Sequence, residues 1–144
     1  MRLWHVDILP YLPDSQLNAQ WRELGSICYK QDNHLLINYI YCYNKEYLYW
    51  YTIAVLKEKF KRGFKTIKWD NFEKYFEIDR AKMYSDIDLS DKMNKLYKFY
   101  EHDNLYLKIC YYNLLEKYKR GQKDFTKDRI IEICKDLEDS INGK

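Results

Sequence analysis

Apolar residues recur at helical spacing along most of the chain. Leu17, Trp21, Leu24 and Cys28 share one stripe, which predicts a helix starting at Asp14 or Ser15 and ending near Gln31-Asp32-Asn33. Asn33 is placed to cap a second apolar segment, Leu35 to Tyr43. Asn44 caps a third, which carries Tyr47, Tyr51, Val55 and Phe60 to Arg62 and stops at Gly63. A short helix starts at Asp70 and holds Phe72, Tyr75 and Phe76, whereas the weak periodicity from Ile78 to Ser90 predicts a loop. Further helices are expected from Asp91 to Tyr100 and from Asn104 to Arg120, the latter closed by Gly121. A last one runs from Thr126 to Ile141, with Ile130, Ile133, Cys134 and Leu137 as its buried stripe. With only 4 Gly and 2 Pro, few turns separate these elements. The pattern predicts an all-α fold, a compact single-domain helical bundle over residues 1–144.

Composition narrows the function classes. The chain is 47% hydrophobic and 33% charged, too apolar for general disorder. Its uncharged run Tyr47–Leu56 falls well short of the roughly 18 residues of a membrane span. The opening Met-Arg-Leu-Trp-His-Val-Asp is unlike a signal peptide, so a cytoplasmic location away from the membrane is expected. The four cysteines, Cys28, Cys42, Cys110 and Cys134, form no Cys-x-x-Cys pair and have no nearby His. They are read as buried free thiols, with no metal site and no cofactor implied.

Aromatic residues reach 18%, with 16 Tyr among them. Such faces can stack on bases and their hydroxyls can reach phosphates, or they can simply fill a core. Net charge is only +3, so any nucleic-acid surface must come from local clustering. Two clusters exist. Residues 57–68 hold Lys57, Lys59, Lys61, Arg62, Lys65 and Lys68 against Glu58 alone. Residues 117–129 hold Lys117, Lys119, Arg120, Lys123, Lys127 and Arg129 against Asp124 and Asp128. Both follow a helix end, where cations also complement the macrodipole.

No phosphate-binding Gly loop, nucleophile elbow or His-Glu-x-x-His occurs, and His5, His34 and His102 are far apart in sequence. The distinctive stretch is the opening: Met1-Arg2-Leu3-Trp4-His5, then Asp14-x-x-Leu17-x-Ala19-x-Trp21-Arg22-Glu23-Leu24. An Arg directly after the terminal residue, combined with this helix motif, resembles the pyrimidine-dimer DNA glycosylase family of the bacteriophage endonuclease V type. Asn38-Tyr39 through Lys61-Arg62-Gly63-Phe64, and Cys110-Tyr111-Tyr112-Asn113-Leu114 through Glu116-Lys117-Tyr118, extend the likeness to a bacterial branch of that family.

The resemblance implies a helical bundle whose N-terminus inserts at the active site. It implies a repair glycosylase with abasic-site lyase activity on damaged pyrimidines in duplex DNA, working without cofactor or metal and as a monomer. Met1 would supply the α-amine that forms an imine at C1′, and Glu23 the acid/base carboxyl. An α-amine titrates near about 7.7–8.0, against about 10.4 for Lys, so more of it is nucleophilic at neutral pH. Arg2 and Arg22 would clamp phosphates, with His5, Lys61, Arg62 and His102 as further DNA contacts.

The chain departs from the family pattern in several places. Residue 2 is Arg, too large for the usual removal, so Met1 is expected to remain; the span to Asp14 implies an insertion near Pro10-Tyr11; and Ser26 stands where the family has a third Arg. Two other readings stay open from sequence: a non-catalytic module binding nucleic acid or protein, and an enzyme acting on free nucleosides.

Overall fold

Every residue from Leu48 to Leu56 is buried, so α2 (Lys45–Lys61) is apolar all round and the other elements are arranged on it. In this computed structural model the described residues are 1–65, 68–122, 124–125, 132–133, 135–136 and 138–139. Among them are α1 (Asp14–Tyr29), α3 (Asp70–Phe76), α4 (Arg80–Asp86), α5 (Ser90–Leu96) and α6 (Asn104–Lys119), and no strand. Helices α1, α4 and α5 pack on α2, and α3 packs on α1. A 3-10 turn, Val6–Tyr11, joins α2 to α6. The fold is all-α, as the hydrophobic pattern predicted.

Local chemistry explains most boundaries. The Asn44 side chain accepts from the Glu46 N–H and caps α2, while Gly63 ends it at φ 77. There Phe64 N–H returns to Lys59 O at 3.0 Å, leaving few helix-end carbonyls unpaired. Gly121, at φ 91, ends α6 in the same way. The α1 stripe is buried as expected, with Trp21 against Phe72 (centroids 4.4 Å apart) and edge-on to Trp69 (5.6 Å).

Several expectations change. The expected loop at 78–90 contains α4, capped by Asp79 accepting from Lys82 N–H at 2.8 Å. Only Met83 and Asp86 of that helix are buried, so its seven residues show little periodicity. The apolar segment 35–43 forms only a 3-10 turn, Asn38–Cys42, with Leu35 83% exposed. Helix α6 starts at Asn104 as expected, capped by Asp103, whereas Phe60, grouped with Tyr47, Tyr51 and Val55, is 62% exposed. Cys28 and Cys110 are buried but Cys42 is exposed. The expected helix from Thr126 to Ile141, with Cys134, lies largely outside the described residues, although Ile133 is in the core.

One charged residue is used as a latch. The Arg62 guanidinium donates to Leu12 O (2.7 Å), Pro10 O (3.1 Å) and Leu9 O (3.3 Å), and pairs with Asp14 (2.9 Å) and Glu58 (2.8 Å). It fastens the Val6–Tyr11 turn and the start of α1 to the end of α2. Replacing Arg62 by Ala is expected to lower unfolding free energy by about 2–3 kcal/mol, because buried carbonyls lose a charged donor. Urea denaturation measures this. DNA affinity of the folded variant should hold, whereas a phosphate contact would weaken it and reduce the salt slope by about 1.

Candidate active site at the N-terminus

Residues 2–5 precede any helix, and Leu3, Trp4 and His5 are buried. Their main-chain groups therefore need partners from elsewhere. Gln20 on α1 supplies two: its Oε1 accepts Trp4 N–H at 2.9 Å and its Nε2 donates to Arg2 O at 3.1 Å. Tyr51 on α2 donates to Trp4 O at 2.5 Å, and Tyr106 on α6 donates to Leu3 O. His5 N–H faces the Cys110 sulfur at 3.4 Å, and Ile8 N–H closes on His5 O at 2.9 Å. Three helices thus hold a segment that has no secondary structure of its own.

That grip leaves Met1 at the surface, 42% exposed, with its amine within electrostatic reach of Glu23. Burial raises the Glu23 pKa above the usual carboxyl range, and the positive charges of the Met1 amine, Arg22 and Lys117 pull it back. Gln20 Nε2 lies 3.4 Å from Glu23 Oε2. The Arg2 guanidinium lies over the Trp4 ring at 5.9 Å, and its charge acts on Tyr106 and Cys110. Arg22 is exposed and lines a cleft of about 450 Å³ with Trp21, Gly25, Lys68 and Phe72. The Met1 amine, Arg22 and Lys117 from the second basic stretch thus all act electrostatically on Glu23, while Arg2 faces Trp4, Tyr106 and Cys110.

The other candidate contacts sit elsewhere. Lys61 lines a separate groove of about 620 Å³ between α2, α5 and the first 3-10 turn, among Lys57, Lys95, Lys98, Asp7 and Asp91. Arg62 is occupied by the latch described above. His5 and His102 are 1% and 2% exposed, in the interior rather than on the surface. Their rings stack at 5.9 Å, and His102 Nε2 shares a 2.6 Å hydrogen bond with the Tyr39 hydroxyl. His5 Nδ1 accepts Asp7 N–H at 3.1 Å, while its buried Nε2 makes no hydrogen bond of good geometry. Burial lowers both pKa values, His102 to about 3. Neither ring reaches the surface in this structure, although both were expected as DNA contacts.

Sequence reasoning missed Gln20, Tyr51, Tyr106 and Cys110 as builders of the site. Among the described residues, no group of His, Cys, Asp and Glu is arranged to hold a metal ion. No helix among them is long and apolar enough to cross a membrane.

The described residues form an all-α fold in which the N-terminal segment lies close to a half-buried glutamate, Glu23. Residues 1–71 match the family model of pyrimidine dimer DNA glycosylase, a family whose description implies repair chemistry on damaged DNA. That match spans α1, α2 and the whole N-terminal segment, and so holds Met1, Arg2, Gln20, Arg22 and Glu23. No curated protein and no solved structure matches the chain.

The buried neutral His102 makes stability depend on pH. In the unfolded chain a histidine titrates near about 6.5. Between that value and about 3 the unfolded state binds more protons, so stability falls as the pH is lowered through this window. The urea midpoint is expected to drop between neutral and mildly acid pH, and to drop less in His102→Asn. Equal slopes in the two proteins would contradict a neutral buried imidazole.

Proposed function

We propose that this chain is a DNA glycosylase with abasic-site lyase activity, acting on damaged pyrimidines in duplex DNA through the Met1 α-amine. The observation that carries the reading is that one Gln20 nitrogen bonds Arg2 O at 3.1 Å and lies 3.4 Å from Glu23 Oε2, so that the Glu23 carboxyl is one residue removed from the exposed Met1, inside the stretch matching the glycosylase family. In the first step the amine lone pair forms a bond to C1′ as the bond from C1′ to the base breaks, and the base leaves with the electron pair and takes up a proton. Loss of the amine proton and opening of the sugar give an imine. Removal of a C2′ proton then expels the 3′ phosphate by β-elimination.

Glu23 suits two parts of this sequence. Its negative charge stabilises the cationic sugar, and its raised proton affinity suits it to carry a proton between steps. Arg2 and Arg22 supply the positive charge that would hold flanking phosphates. C1′ lies inside the duplex, so the nucleotide must leave the stack. Residues 1–144 are read as one domain that acts as a monomer in the cytoplasm, needing neither metal nor cofactor.

Borohydride trapping on a duplex with one abasic site tests the amine. A covalent adduct is expected from protein with a free Met1, and none from protein carrying an N-terminal extension. Since Met1 is exposed, the extension should leave the melting temperature unchanged. Full trapping by the extended protein would remove Met1 from the mechanism. A folded native protein that binds duplex but gives no adduct would favour the binding module. Glu23→Gln is expected to slow turnover by about 10²–10⁴-fold while changing DNA affinity little. Parallel losses of rate and affinity would assign Glu23 to binding instead.

A further inference from the structure

We infer that Gln20 is a positioning residue of this site: its carboxamide locks the N-terminal segment and the Glu23 carboxylate into one register. This rests on the glycosylase reading and concerns how the nucleophile and the carboxylate are kept in relation to each other.

The argument is one of donor and acceptor polarity. Gln20 is 1% exposed. Its Oε1 accepts Trp4 N–H at 2.9 Å and faces the Tyr51 hydroxyl at 3.0 Å. Its Nε2 donates to Arg2 O at 3.1 Å and lies 3.4 Å from Glu23 Oε2. Both ends of the amide are therefore engaged, and turning it over would set an NH2 against Trp4 N–H. Three residues along α1, Glu23 lies on the same helix face as Gln20. One nitrogen thus touches both the carboxylate and the main chain of the residue next to the amine. Glutamate in its place would set two carboxylates side by side, and methionine would fill the space without either bond.

Two measurements on wild type, Gln20→Glu and Gln20→Met test this, each at a temperature where circular dichroism shows the protein folded. The first follows the Glu23 carboxyl by carbon-13 NMR in the free protein. Gln20→Glu is expected to raise its titration midpoint, because a second negative charge lies beside it. The second is the rate of borohydride trapping on an abasic duplex. Both variants are expected to trap about tenfold or more slowly near neutral pH, with affinity for a non-cleavable abasic analogue held within about twofold. In Gln20→Glu alone the deficit relative to wild type should shrink as the pH falls and the added carboxyl takes a proton. A trapping rate like wild type, or an unmoved Glu23 midpoint in folded Gln20→Glu, would overturn the role of Gln20 while leaving the glycosylase reading intact. Absence of any adduct from wild type would instead overturn that reading, and the positioning role with it.

Discussion

Burying a stretch of main chain that belongs to no helix or sheet is the constraint on which this structure turns. Leu3, Trp4 and His5 lie in the core, and each carries peptide groups that no regular element pairs. Left unpaired, such a group costs about 1–3 kcal/mol, so several together would rival the stability of a small domain. The solution is a set of side chains at fixed heights on separate helices: Gln20 on α1, Tyr51 on α2, Tyr106 and Cys110 on α6. The spacing of these three helices at that end of the molecule is therefore tied to the path of the first five residues.

The abundance of tyrosine follows from the same need. Tyr41 accepts from Asp32 N–H and donates to Ile27 O, bracing the connection after α1. Tyr43 bonds Glu101 and accepts Tyr100 N–H, which pins the turn before α6. Tyr49 reaches Asp86 on α4, and Tyr39 reaches His102. Each ring fills core space while its hydroxyl closes a polar group some distance away, a pairing that neither Phe nor Ser provides. The aromatic richness is thus largely architectural, and a role in stacking on bases is not needed to account for it.

Local patterns made much of the fold legible. The stripe through Leu17, Trp21, Leu24 and Cys28 marked α1, Asn44 and Gly63 bounded α2, and Gly121 closed α6. These signals lie within one or two helical turns of what they specify. Arg22 and Glu23 stand out as candidates through the motif that surrounds them. Contacts between distant residues left no such mark. Arg62 and His102 sit among charged neighbours and resemble solvated cations, yet their partners, Leu12 and Tyr39, lie 50 and 63 positions away. Gln20 looks like an ordinary polar position on a helix until the N-terminal segment is laid across it. Helix α4 escaped notice because a short helix with two buried residues has no period to show.

The clamp on the N-terminal segment also bears on the order of events during synthesis. The bonds that fix residues 2–5 span 16 positions to Gln20, 47 to Tyr51, 103 to Tyr106 and 105 to Cys110. A ribosome makes the chain from the other direction in time: the first residues to emerge wait for nearly all the rest. Contacts of such long range are also the slowest to form in folding. The end of the chain that is made first is therefore among the last parts to become rigid. A truncated or stalled product that stops before α6 has residues 2–5 but lacks Tyr106 and Cys110, which hold them.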